Sequence, residues 1–127
     1  MNNLKYNDLK NIWDGENNLI GKPIFIDFYG DWWGPCKMFE QVLNEVTPEY
    51  QDKINFYKVN IEEEPQLSTI FEVRHIPHYV MISIDGGVSP GSGAVNKETL
   101  KYFLEGLISK KFVYLYTIEK NRLYGFI

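Results

Sequence analysis

The sequence predicts an α/β domain, a central sheet with helices on both of its faces. Residues 23–29, Pro-Ile-Phe-Ile-Asp-Phe-Tyr, are apolar on both sides of an extended chain except at Asp27, as a strand covered above and below must be. Residues 35–46 and 96–108 instead carry apolar stripes at helical spacing. Extended and helical segments alternate along the chain, the order expected when helices pack onto a sheet.

Each element has its own signal. Leu4, Leu9, Ile12 and Trp13 give the N-terminal region a weak helical pattern that fades into the polar loop 14–18. After the central strand, Pro35 opens a helix, because the N–H that proline lacks has no partner in a first turn. Met38, Phe39, Val42, Leu43 and Val46 form the stripe of that helix, and Pro48 bends or ends it. Residues 54–59 predict a second strand, 67–71 a short helix and 79–84 a third strand, with Asp85-Gly86-Gly87 as a hairpin turn. Asn96 is a good N-cap for the last helix, whose stripe is Leu100, Phe103, Leu104, Leu107 and Ile108. The set amounts to a mixed sheet of about four to five strands.

We place the domain at residues 1–109 and a separate C-terminal extension at 110–127. Within the extension, 112–118 is strongly β-forming, 119–122 is polar and 123–127 is apolar again, the pattern of a β-hairpin. Its apolar residues, Phe112, Val113, Leu115 and Ile118 among them, are expected to pack on the domain or against another chain. The oligomeric state stays open.

At 127 residues the chain is long enough to bury a core and short for two domains. A net charge of −4 leaves no basic footprint for nucleic acid. No stretch reaches the roughly 18–20 apolar residues needed to cross a membrane, and the first residues lack the apolar core of a signal peptide. The single cysteine, Cys36, rules out an internal disulfide. A reducing, cytoplasmic location is the expectation.

Cys36 follows a buried strand and falls in the first turn of a helix, within Trp32-Trp33-Gly34-Pro35-Cys36-Lys37. There the helix dipole favours thiolate over thiol. The same position also suits a small buried side chain with no chemistry, as free cysteines often are. Asp27 poses a second question, since a lone carboxylate in an apolar strand is costly unless it is paired.

These residues resemble the active site of the thioredoxin family, whose hallmark is W-C-G-P-C-K. The similarity runs from Ile26-Asp27-Phe28-Tyr29 through Asp31 to Lys37, then Asn60-Ile61-Glu62 and Pro65, then Val73-Arg74-His75-Ile76-Pro77, and resumes at Ser92-Gly93-Ala94. It covers about residues 20–108. The resemblance implies a thioredoxin fold with Pro77 as the cis-proline facing the redox motif and Ile76 offering backbone hydrogen bonds to an extended substrate. Trp32, Gly34, Pro35 and Gly93 would border the substrate groove. Asp27 would be the buried carboxylate serving the second cysteine, and Lys58 the lysine that approaches it, although a plain buried Asp27–Lys58 pair is the alternative. Protein or peptide substrates bearing disulfides or thiols, and a thioredoxin reductase for recycling, are the implied partners, with no cofactor.

One departure outweighs the match. The family's exchange reaction uses two thiols, one to attack a disulfide and a second to resolve the mixed disulfide. Here Trp33 stands at the attacking position and Cys36 at the resolving one. Dithiol exchange is therefore expected to be impaired, and a non-catalytic peptide- or protein-binding module is the alternative. Gln41 replaces a kinking proline, and His75 and His78 flank Pro77 where Gly and Thr are usual. Cys36, His75 and His78 match soft-metal ligand types, but histidines on surfaces and strands are commoner, and no metal is expected. Glu62-Glu63-Glu64 reads as a solvated loop or an acidic first helical turn.

Overall fold

In residues 1–109, which the computed structural model describes, there are five strands and four α-helices. They are β1 (Asn2–Asn3), α1 (Tyr6–Ile12), β2 (Ile24–Tyr29), α2 (Gly34–Val46), β3 (Asn55–Asn60), α3 (Pro65–Ile70), β4 (His78–Ile82), β5 (Val88–Ser92) and α4 (Lys97–Ser109). The sheet order is β1-β3-β2-β4-β5. β1, β3 and β2 run parallel, while β4 is antiparallel to both β2 and β5, so the sheet is mixed. The expected 110–127 hairpin lies outside the described residues.

β2 holds the middle of the sheet, and its first five residues, 24–28, are buried. On one face Phe25, Phe56, Tyr79 and Met81 pack with Phe39, Leu43 and Val46 of α2 and Leu100, Leu104 and Leu107 of α4. On the other, Ile24, Ile26, Phe28 and Val80 pack with Leu9 and Ile12 of α1 and Leu67 of α3. Burial of each such side chain stabilises the domain by roughly 1.5–3 kcal/mol.

Local chemistry fixes the element ends. Pro35 sits in the first turn of α2, as its missing N–H requires. At the far end the chain tightens into a 3₁₀ turn at Thr47–Glu49 that contains Pro48. Asn96 caps α4, its Oδ1 accepting from the Thr99 N–H at 2.8 Å. Replacing it in Asn96→Ala is expected to cost about 1 kcal/mol, read by urea unfolding. Gly86 occupies the left-handed region (φ +92°), and a Cβ there would collide with the Glu16 carbonyl. Trp13 closes this end of the domain, donating its Nε1–H to the Gly86 carbonyl at 3.0 Å.

Two expectations need correction. Met38 does not belong to the inward stripe of α2, being 65 % exposed. Phe39, Leu43 and Val46 already fill the buried arc, and Met38 falls outside it. The sheet also gains a two-residue edge strand, β1, which pairs with Tyr57 and Lys58.

Candidate active site at the turn between β2 and α2

β2 delivers the chain to a tight turn, Gly30 to Trp33, in which the Trp33 N–H donates to the Gly30 carbonyl at 3.2 Å. Trp33 is the N-cap of α2, and its carbonyl accepts from the N–H groups of Cys36 (3.1 Å) and Lys37 (3.3 Å). Cys36 is thereby carried into the first helical turn and buried, 4 % exposed. Burial pushes its thiol above the ordinary range, opposed by a hydrogen bond with the Gly30 backbone and reinforced by the nearby Asp27 charge. Lost hydration thus opposes the thiolate that the helix dipole is expected to favour.

The two tryptophans form an exposed rim. Trp32 is 61 % and Trp33 43 % exposed, with ring centres 5.7 Å apart in an edge-to-face arrangement. Trp32 is held in place by its Nε1–H donating to Glu62 Oε1 at 2.7 Å. Glu62 thus has a positioning role that a solvated-loop reading misses. The loop that carries it is tied down as well: Asn60 donates to Asp31 Oδ2 (3.1 Å) and accepts from the Glu62 N–H (2.9 Å). Gly30 is closely packed, since a Cβ there would lie 3.0 Å from Ile76 Cδ1 and 3.3 Å from Trp32 Nε1, so both side chains would have to shift slightly.

Ile76 and Pro77 approach from the start of β4. Their peptide bond is cis, and the Pro77 carbonyl accepts from the Gly93 N–H at 2.8 Å. Pro77 is buried, while Gly93 and Gly34 are exposed and Pro35 is half-buried. His75 is exposed, whereas His78 is buried edge-on to Phe28 with Nε2 unpartnered, and burial holds it below its usual pKa. Cys36, His75 and His78 do not converge, and no group of three or more metal-ligating side chains occurs among the described residues.

Beneath the turn, Asp27 is 5 % exposed and its Oδ1 has no hydrogen-bond partner. β3 places Lys58 directly across from Asp27, yet no buried ion pair forms between them. The Lys58 ammonium lies instead 5.9 Å from the centre of the Tyr29 ring, a cation–π distance. Desolvation, with a smaller push from the Glu40 charge, raises the Asp27 pKa to about 7 against the pull of Lys58. A cavity of ≈ 220 Å³ opens onto this carboxyl and Cys36, with Glu40, Lys58, Lys37 and Asn44 in its walls.

Residues 10–106 match the thioredoxin family model. The chain belongs to the thioredoxin family. Among its relatives it is 37 % identical to thioredoxin 1 of Nostoc, over 65 % of this chain and 78 % of that protein. It is 33 % identical to the chloroplastic thioredoxin X of Arabidopsis thaliana, over 69 % of this chain but only 50 % of that protein's length. The fold matches the crystal structure of chloroplastic thioredoxin z with a TM-score of 0.74 at 19 % identity, covering 86 % of this chain and 95 % of that one. The thioredoxin fold and its mixed five-stranded sheet are thus shown in the described residues.

Proposed function

We propose that this thioredoxin-family chain docks protein or peptide partners bearing disulfides or thiols at the Trp32–Trp33–Ile76 rim, with dithiol exchange impaired. The observation that carries the reading is the thiol inventory. The one cysteine is the buried Cys36, at the resolving position, and an exposed tryptophan stands where the attacking thiol belongs. A buried thiol with a raised pKa offers little thiolate, and no second thiol can release a mixed disulfide. Cys36 then forms slow adducts, one per chain.

A purely binding role is the second reading, favoured by the rim itself. Two exposed, edge-to-face tryptophans supply the large rigid apolar area that anchors interfaces. A reducing compartment such as the cytoplasm suits both readings.

The test is reduction of a protein disulfide in the presence of a regenerating reductant, beside binding of the same protein with its cysteines blocked. We expect binding without turnover above the reductant alone. Multiple turnovers per chain would sink the proposal.

A further inference from the structure

We propose that the cavity beneath the Trp33–Cys36 turn admits small hydroperoxides, which oxidise Cys36 to a sulfenic acid while Asp27 carries the proton. The reading goes beyond the docking role and does not depend on it, because it uses the cavity and not the tryptophan rim.

Three observations support the occupant. None of the rim residues Trp32, Trp33, Ile76 and Pro77 lines the cavity, so Cys36 has a second approach, and ≈ 220 Å³ suits a small solute. Asp27 lines the same space, and its buried Oδ1 has no partner, an unmet acceptor that is costly until a donor reaches it. The third is the thiol, which gives its electron pair to whatever arrives. The occupant must therefore be small, bring an O–H or N–H donor, and contain an atom that sulfur can attack. A hydroperoxide meets all three requirements. A dialkyl disulfide or an enone brings no donor.

The step balances. Asp27 as carboxylate takes the Cys36 thiol proton by way of one water in the cavity, and the thiolate attacks the terminal oxygen of ROOH. The O–O bond breaks, its electron pair leaves on RO⁻, and RO⁻ takes the proton from Asp27. Cys36–SH and ROOH become Cys36–SOH and ROH, with sulfur oxidised, the peroxide reduced and Asp27 again a carboxylate. With no other cysteine in the chain, an external low-molecular-weight thiol closes the cycle. The first equivalent gives a mixed disulfide and water, and the second gives Cys36–SH and a small disulfide.

Burial keeps Cys36 protonated at neutral pH, which makes a neighbouring base necessary. Asp27, titrating near 7, holds both the acceptor and the donor form there. The ionisable groups around it are Glu40, Lys37 and Cys36 from α2, Lys58 from β3, Tyr29 and Asp31 from β2 and its turn, and Tyr79 from β4. Burial lifts the Tyr79 hydroxyl to about 12, so it stays neutral throughout.

Sulfenic acid formation is followed with hydrogen peroxide between pH 5 and 9, trapped by dimedone and read by intact mass. The wild-type rate should rise with pH through an inflection near 7. Asp27→Asn should slow it roughly tenfold to a hundredfold at pH 7 and remove the inflection, and Asp27→Glu should restore part of both. Asn44→Trp, which fills the cavity from an exposed wall position, should also slow the reaction. Equal rates in wild type and Asp27→Asn overturn the proton role. An unchanged rate in Asn44→Trp overturns the route. Both results are independent of disulfide turnover, which tests the docking reading.

Discussion

Trp33→Cys is expected to raise disulfide turnover sharply, giving a chain that reduces disulfides repeatedly. The new thiol would occupy the N-cap of α2, where the helix dipole stabilises a thiolate and the backbone stays in reach of solvent. Cys36 would follow three positions later, placed to resolve the mixed disulfide, with Asp27 beneath it as proton acceptor. Removing a nucleophile from a catalytic unit costs on the order of 10⁶ in kcat, so the gain should be roughly 10³-fold or more even in an imperfectly tuned site. Trp33 is an exposed ring whose main described contact is Trp32, and little stability should be lost. The measurements are the insulin-type reduction assay and a free-thiol count before and after mild oxidation. The count should fall from two to none in the variant only. A folded variant that stays inactive would show that the site has drifted at more than one position.

Asp27→Asn is expected to stabilise the domain above neutral pH and to leave it unchanged below pH 4. The sign follows from the raised pKa. Asp27 titrates near 7 when folded and near 3.8 when unfolded, so the folded state binds the extra proton between those values. Its favourable contribution is complete below about pH 4 and is lost as pH rises through 7. Asparagine carries no charge into the same buried site, so the variant should gain about 1–3 kcal/mol at pH 8, the cost of a buried, unsatisfied charged group. Urea unfolding at pH 4, 6 and 8 reads this directly. Parallel stability curves for the two proteins would mean that Asp27 is solvated or paired in solution.

What the sequence disclosed and what it hid divide along the range of the interactions. Pro35 and Asn96 announce helix starts because a proline's missing N–H and an asparagine's side-chain acceptor act within their own turn. The double-sided apolar run of β2 announces its burial in the same local way. Lys58 could be placed opposite Asp27 from strand order, yet the choice of its ammonium between a carboxylate and the Tyr29 ring is settled only by three-dimensional packing. The Trp32–Glu62 hydrogen bond spans 30 positions and has no sequence signal beyond the residue types. Asn2–Asn3 is too short and too polar to show alternation, and it becomes a strand because the β3 edge offers partners. Helical spacing alone puts Met38 at the edge of the apolar stripe, and a sequence pattern does not show how wide the buried arc is.

The placement of the tryptophans makes the molecule its own optical reporter. Only three indoles emit: Trp13 lies stacked on Phe71 at the far end of the domain, and Trp32 and Trp33 stand together in water at the rim. The long-wavelength part of the emission therefore belongs to this rim face. Anything that covers that face removes water from two indoles at once and shifts their light to shorter wavelengths, while Trp13 supplies a steady internal reference. Occupancy of the rim can thus be titrated without a label, and a partner that binds elsewhere leaves the spectrum where it was.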